Sequence, residues 1–171
     1  MPRYVAFLRG VSPLNCKMPA LRQCFEAAGF ADVRTLLSSG NVAFNARASS
    51  NAALEKKCER AMQRHLDRVF TTFVRPAAHL QAFIAADVHG HFELPAGAKP
   101  IVTFLHAPAP AGLALPIARE GATVLKVVGL DVFSAYEPTG DGPAFMRLLE
   151  RTFGADITTR TLDTVKRCAA A

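Results

Sequence analysis

Basic side chains recur at helical spacing in the first half of the sequence. Lys56, Arg60 and Arg64 follow one another every four residues, so a helix would carry them on a single face. Such a face is either a solvated helix surface or an attachment site for an anionic partner that binds through its phosphates. Nucleic acid is the first expected partner of this kind. The candidate surface comprises Lys56, Lys57, Arg60, Arg64 and Arg68, with His65 beside them.

Two acidic residues follow these cations at a spacing that favours ion pairs. Glu59 comes three residues after Lys56, and Asp67 comes three residues after Arg64. Side chains at this spacing are neighbours on a helix surface, where opposite charges attract and like charges repel. We therefore expect partial neutralisation of the basic face.

A second set of candidates lies where the first predicted strand leads into the first predicted helix. Arg9 and Gly10 end the strand, Lys17 precedes the helix, and Pro19 opens it. Such a loop offers backbone N–H groups to an anion, and the two cationic side chains add charge. The alternative is structural, with Arg9 ending an apolar strand and Gly10 permitting the turn. Neither GxGxxG nor GxxxxGKS/T occurs, so a dinucleotide or Walker-type site is not predicted.

Short polar segments supply the remaining ligand-binding candidates. The first segment is Ser38, Ser39, Gly40 and Asn41. These residues offer hydroxyls, an amide and a flexible backbone, although a tight hairpin uses the same residue types. We expect this hairpin at the opposite end of its sheet from Arg9, so one pocket holding both would need a bent hairpin or the second half of the chain. The other segment is Thr159 and Arg160, followed by Thr161, which suits a helix N-cap.

Patterns for catalysis and metal binding are weak. His89, His91 and Glu93 alternate, but a zinc site needs three or four convergent ligands and no further Cys/His cluster stands nearby. The sequence has no GxSxG nucleophile elbow, no familiar Cys–His spacing and no paired carboxylates. We therefore predict no catalytic residue, metal or cofactor, and whether the protein is an enzyme stays open.

Hydrophobic periodicity divides the chain into halves with the same order of elements, βαββαβ and then a helix. The first half is predicted to hold strands at 3–9, 33–37, 41–44 and 69–74 and helices at 18–28, 51–66 and 76–86. Asn51 is the predicted N-cap of the second of these helices. The second half is predicted to hold strands at 101–106, 123–127, 131–136 and 156–159, helices at 113–119 and 141–153, with Asp141 as its cap, and a helix after Thr161.

The halves also echo one another in residues, VAFLRG beside VTFLHA and TTFVRP beside ITTRTL, which indicates an internal duplication. The predicted fold is therefore α+β, with two tandem ferredoxin-like (βαββαβ) plaits and antiparallel sheets. The expected domains are a basic N-terminal subdomain at 1–87, a linker at 88–99 and a C-terminal subdomain at 100–171. An RNA-reading plait of the RRM type is not favoured, because Phe7 and Phe44 lack the basic-Gly-aromatic run of that family.

Composition favours a folded cytosolic protein. Half of the 171 residues are apolar and 20% are charged, which excludes the class of disordered chains. The apolar stretch before Arg9 is too short for a signal sequence or a membrane span. The four cysteines form no CxxC pair and are expected to be reduced thiols, with Cys24 and Cys58 in the core. The net charge of +6 comes from residues 1–87, which hold 12 Lys/Arg against 6 Asp/Glu, whereas the rest holds 8 against 8.

Several short motifs occur in the order typical of one bacterial family. They are Leu8-Arg9-Gly10, Asp32-Val33-Arg34-Thr35 after Phe30, Ser39-Gly40-Asn41-Val42 and Thr158-Thr159-Arg160. On these motifs the chain resembles the bacterial family known as domain of unknown function 1697 over nearly its whole length. The resemblance implies two ferredoxin-like subdomains and no established activity. The chain departs from the family pattern at residues 11–16 (VSPLNC), where an Asn and two Gly are usual, and at Thr161-Leu162, where Asn-Trp is usual.

Three functions are consistent with these features. The first is a non-enzymatic cytosolic protein whose basic N-terminal plait binds a phosphate-bearing partner, with nucleic acid as the first expectation. The second is a small-molecule enzyme or sensor with an anion pocket near Arg9 and Lys17 or between the plaits, taking a phosphorylated small molecule. The third is a structural module that associates through sheet edges. No membrane partner is expected, and the oligomeric state stays open.

Overall fold

The computed structural model describes residues 1–138 and 142–171 and confirms the predicted α+β class. Two antiparallel sheets, of four and five strands, occur with five α-helices in these residues. The chain forms two compact units, one of Met1–Ala82 with Lys166–Ala171 and the other of Phe83–Val165. None of the described helices combines the length and the apolar content that a membrane crossing requires. The domain boundaries at residues 87 and 100 stay a prediction.

Strands and helices follow one another along the chain largely as predicted. The strands are β1 (Arg3–Leu8), β2 (Ala31–Leu36), β3 (Asn41–Asn45), β4 (Thr72–Pro76), β5 (Lys99–Leu105), β6 (Ile117–Arg119), β7 (Ala122–Val128), β8 (Asp131–Tyr136) and β9 (Ile157–Thr161). The helices are α1 (Met18–Ala27), α2 (Asn51–His65), α3 (Ala77–Ala85), α4 (Gly142–Phe153) and α5 (Leu162–Ala170), besides a short 3-10 helix at Val88–His91. The first four strands with α1 and α2 have the predicted βαββαβ order.

The first sheet has the strand order β2-β3-β1-β4, and all neighbouring strands are antiparallel. β2 and β4 are therefore its edge strands, and the pairing of β2 is shifted between Ala31 and Arg34. One hydrophobic core joins this sheet to both helices, and its members include Ala6, Leu8, Leu21, Phe25, Phe44, Leu54, Cys58 and Met62. Within it the Phe30 and Phe44 rings lie 4.3 Å apart. This core fixes which side of α2 is left for solvent.

Helix α2 begins after a capping serine. Ser50 Oγ accepts a hydrogen bond from Ala53 N at 3.1 Å, so Ser50 is the N-cap and the prediction of Asn51 is wrong by one residue. A cap residue keeps an extended backbone while its side chain accepts from the third helical N–H, and Ser50 has that backbone. Leu54, Cys58 and Met62 then recur every four residues and are buried, which confirms the predicted apolar face.

The second sheet has the order β6-β7-β8-β5-β9. Apart from β6, this order repeats that of the first sheet. The helix predicted at 113–119 is wrong, because Ile117–Arg119 instead forms β6 and pairs with β7. Pro110, Gly112 and Pro116 account for the error, since proline lacks an N–H and disfavours helical backbone before it, and glycine loses more entropy in a helix than other residues.

The segment predicted as a linker contains ordered structure. His89, in the 3-10 helix, is buried, and its Nε2 lies 3.1 Å from Ile101 O and 3.0 Å from Ser134 O. At the start of α5, Thr161 Oγ1 accepts a hydrogen bond from Thr164 N at 3.2 Å, which confirms its predicted capping role. The predicted cap Asp141 lies outside the described residues.

Candidate functional site

Both glutamates of α2 are bound to the edge of the first sheet. Glu59 Oε2 accepts a hydrogen bond from Thr72 N at 3.0 Å, and Glu55 Oε2 accepts one from Val74 N at 2.9 Å. Because β4 is an edge strand, these outward N–H groups have no neighbouring strand to bind. The two glutamate side chains of α2 therefore supply the acceptors that a fifth strand would otherwise supply.

In this arrangement neither glutamate of α2 forms an ion pair with the basic face of the helix. The pairs Lys56–Glu59 and Arg64–Asp67 do not form, so the prediction of partial neutralisation is wrong. Within residues 1–138 and 142–171 no ion pair is made by Lys56, Lys57, Arg60 or Arg64. For Arg64 and Asp67 the physical reason is that α2 ends at His65, so Asp67 is not at helical spacing from Arg64. For Lys56 and Glu59 it is competition for the carboxylate. An unpaired buried N–H costs more free energy than an exposed ion pair returns.

These cations line an open groove of about 790 Å³ on the first unit. We call it the basic groove and define it by Arg47, Lys56, Lys57, Arg60 and Arg64. Small residues make up most of the rest of its lining, namely Ala27, Ala28, Ala46, Ala48, Ser49, Ser50, Ala52, Ala53 and Ala61. Among the described residues that line the groove, none is acidic. The groove is thus a concave surface of one charge sign.

Arg47 is the residue of this groove that the sequence analysis did not single out. It lies between β3 and α2, outside both periodic segments, so helical spacing could not assign it to the basic face. Its position three residues before the Ser50 cap is the available signal, because a chain entering a helix passes the first turn of that helix.

Arg68 belongs to a different part of the surface. It follows the end of α2, and its guanidinium carbon lies 5.2 Å from the centre of the Phe70 ring. It lines a separate cleft of about 230 Å³, together with Lys17, Asn15 and Asp67. The predicted surface is therefore divided, with four of its residues in the basic groove and Arg68 outside it.

The loop after β1 is held by its own side chains. Asn15 Nδ2 donates to Gly10 O at 2.9 Å, and Lys17 Nζ donates to Pro13 O at 3.2 Å. Gly10 has φ +83°, a backbone that glycine adopts readily. Arg9 is half-buried, and its N–H donates to Thr71 O at 2.9 Å. Of these three candidates, Lys17 lines the cleft with Arg68.

The hairpin of candidates 38–41 lies at the same end of the sheet as Arg9, so the expectation of opposite ends is wrong. β1 and β3 are antiparallel neighbours with Phe7 opposite Asn41, which brings the end of β1 to the start of β3. Leu8 N donates to Gly40 O at 2.8 Å. The error was topological, because the β2–β3 turn precedes β3 and must lie at that end.

Residues of the hairpin have structural roles. A Cβ on Gly40 would lie 2.8 Å from Val11 Cβ, and Gly40 has φ +86°, so only glycine fits there. Asn41 Nδ2 donates to Leu36 O and to Ser39 Oγ, each at 3.0 Å. Ser38 is exposed at the turn. These contacts describe a tight reversal, which was the alternative to a ligand site.

Thr159 and Arg160 lie on β9, in the second unit. Arg160 Nη1 donates to Thr158 Oγ1 and to Thr159 O, each at 2.9 Å, and Arg160 is 9% exposed. Thr159 Oγ1 lies 3.1 Å from Thr103 Oγ1. The guanidinium is thus engaged within its own sheet.

The histidine and cysteine side chains have structural surroundings. No group of three or more His, Cys, Asp or Glu able to hold a metal occurs in the described residues, and His89 is hydrogen-bonded to carbonyl oxygens as described above. All four cysteines are free and buried. Burial raises the pKa of Cys24 to about 11 and also raises the pKa of Cys16 and Cys58. These thiols stay protonated near neutral pH, which disfavours nucleophilic chemistry.

Comparisons with known proteins identify a family and a structural neighbour. A family model described as "Protein of unknown function (DUF1697)" matches residues 1–133. Among solved structures the chain is similar to the conserved bacterial protein SP0830 from Streptococcus pneumoniae, with a TM-score of 0.66 and 20% identity over 99% of this chain and 97% of that chain. At that identity the likeness concerns the fold. A comparison with curated proteins found no match.

Proposed function

The chain belongs to the family described as "Protein of unknown function (DUF1697)". For this member we propose a cytosolic protein that binds a phosphate-bearing partner through the basic groove of a ferredoxin-like first unit. Nucleic acid is the first expected partner. One observation carries the proposal. Five cations surround the groove while the two acids of α2 are bound to β4. Phosphates along a polymer suit such a set of cations, because each contact releases condensed counterions.

The distribution of charge over the two units supports this proposal. The unit of Met1–Ala82 and Lys166–Ala171 contains 14 Lys/Arg and 5 Asp/Glu, a net charge of +9. The unit of Phe83–Val165 contains 6 Lys/Arg and 9 Asp/Glu, a net charge of −3. Charge of one sign gathered on one unit raises the local concentration of polyanions and speeds their association.

Salt-dependent binding provides the test. Labelled RNA, DNA and polyphosphate are titrated with the protein by fluorescence anisotropy from about 50 to 200 mM salt, where phosphate contacts weaken steeply. With all five groove cations engaged, the slope of log K against log salt is expected to be about −3.5 for a single strand and about −4.5 for a duplex. Affinity that ignores salt, or that is undetectable at about 50 mM salt, would contradict the proposal.

A matched pair of variants assigns the binding to the groove. Lys56→Gln with Arg60→Gln removes two exposed cations from α2, and the slope should fall in magnitude by about 1.4 to 1.8. The control, Lys166→Gln with Arg167→Gln, removes one lysine and one arginine from exposed positions of the same unit. Equal losses in both variants would mean that net charge, and not the groove, sets the affinity.

We also propose a second candidate, a small anionic ligand bound in the cleft that Lys17 and Arg68 line. Lys17 and Arg68, from different loops, line this cleft together with the single carboxylate of Asp67. Its volume of about 230 Å³ is smaller than that of most ligand pockets. Inorganic phosphate should then raise the melting temperature of the protein, and Lys17→Gln should abolish the rise. An unchanged rise in that variant would exclude this site.

A further inference from the structure

We infer that the basic groove takes one phosphodiester strand and grips it by its backbone alone, with the bases turned outward and unread. This inference rests on the proposed function and adds to it the part of the nucleic acid that is recognised. It follows from what lines the groove and from what does not.

Phe, Tyr and Trp rings are missing from the described lining of the groove, in which His65 supplies an imidazole. Proteins that hold single strands by their bases stack them on Phe, Tyr or Trp, and none of these lines the groove in the described part of the chain. The nearby rings of Phe30 and Phe44 are 5% and 0% exposed and belong to the core. Lys57 Nζ lies 4.8 Å from the Phe30 ring centre, so the lysine side chain lies over the Phe30 ring.

The small residues of the groove favour contact with a backbone. Seven alanines and two serines line it, and side chains of this size offer few groups that could reach a base edge. They also let a sugar-phosphate chain approach closely. Asn, Gln, Asp and Glu, which read base edges other than those of guanine, do not line the groove in the described ranges. Arg and Lys can read guanine, and in this groove they are the side chains that the proposal assigns to the phosphates.

The cations are spaced along a line instead of around a point. Lys56, Arg60 and Arg64 are successive turns of α2, about 6 Å apart along its axis. Arg47 and the Ser50 cap stand at the other end, where first-turn N–H groups add partial positive charge. From Ser50 to Arg64 the helix is about 21 Å long, the length of about six nucleotides at the rise per phosphate that one strand has within a duplex.

An abasic strand tests the inference. A single-stranded 12-mer of mixed sequence, a 12-mer of different sequence and an abasic 12-mer with the same phosphates are each titrated with the full chain by anisotropy at about 50 mM salt. The three should bind within about threefold of one another, since each lost stacking contact would weaken binding by about fivefold or more. Shortening the strand should leave the affinity nearly constant down to about six nucleotides and lower it sharply below.

The outcomes separate this inference from the proposal beneath it. If the natural 12-mers bind and the abasic strand binds more than about tenfold more weakly, bases are recognised and the inference fails while the proposed function stands. A preference of more than about tenfold between the two sequences has the same meaning. If no strand binds at all, the proposed function fails and the inference fails with it. Binding of the abasic strand that Lys56→Gln with Arg60→Gln weakens, and that Lys166→Gln with Arg167→Gln does not, supports both.

Discussion

Replacing Glu59 with alanine should destabilise the protein far more than a surface glutamate normally would. Thr72 is 0% exposed while Glu59 covers it, and the half-buried carboxylate of Glu59 accepts from the Thr72 N–H at 3.0 Å. An N–H group left unsatisfied in a buried position costs about 1 to 3 kcal/mol. Alanine is the better helix former, and this difference works against the expected loss. We therefore expect the free energy of unfolding to fall by about 2 kcal/mol.

Two further variants separate the hydrogen bond from the charge. Glu59→Gln keeps an acceptor oxygen but no charge, and should lose about half as much, since charge-assisted hydrogen bonds are about twice as strong as neutral ones. Glu26→Ala serves as the control, because Glu26 forms an exposed pair with Arg22 at 2.7 Å and such pairs contribute about 0.5 kcal/mol at most.

Urea unfolding followed by circular dichroism measures the free energies, and amide hydrogen exchange at Thr72 measures the local effect. In Glu59→Ala the Thr72 amide should exchange faster relative to the amides of the central strand β1. The account of α2 given above is refuted if Glu59→Ala costs no more than Glu26→Ala and the Thr72 amide keeps its protection.

Three other outcomes are expected. Gly40→Ala should lower the stability measured by thermal unfolding by more than about 2 kcal/mol, because strain at positive φ adds to a steric overlap. Gly97→Ala should lose only about 1 kcal/mol, because Gly97 has φ +83° but open space around it. Equal losses would contradict the described packing. Ser50→Ala should cost about 1 kcal/mol and Asn51→Ala much less, since Ser50 is the cap; the reverse order in urea unfolding would restore Asn51 as the cap. Burial raises the pKa of Cys24 from 9.0 to about 11, so the contribution of the protonated thiol to folding stability is complete below pH 9 and is lost as the pH rises towards 11. The free energy of unfolding should therefore fall over that range, and it should fall less steeply in the Cys24→Ser variant.

Periodicity was sufficient for the elements whose residues face one core. Leu54, Cys58 and Met62 identified α2, and the apolar run of β1 identified a central strand. The helix expected at 113–119 does not form, because Pro116 and Gly112 disfavour a helical backbone in that stretch. Once a helix is excluded, those residues can satisfy their backbone groups by pairing with β7.

The site was less accessible to sequence reasoning, because long-range contacts decide it. Spacing placed Glu59 next to Lys56 correctly, yet it could not show that the N–H of Thr72, 13 residues away, takes the same carboxylate. That contact turns a partly neutralised helix face into a basic one. In the same way Arg47 joins the groove through the fold of the chain, and helical spacing alone could not assign it.

The carboxylates of α2 also bear on self-association. One lateral margin of the first sheet is closed to a visiting strand because Glu55 and Glu59 already occupy its outward N–H groups. The opposite margin is β2, whose pairing slips between Ala31 and Arg34, and such irregularity hinders the docking of a straight strand. Both edge strands of the first sheet therefore resist pairing with a strand of another molecule, which disfavours edge-to-edge aggregation of the first unit even at high local concentration.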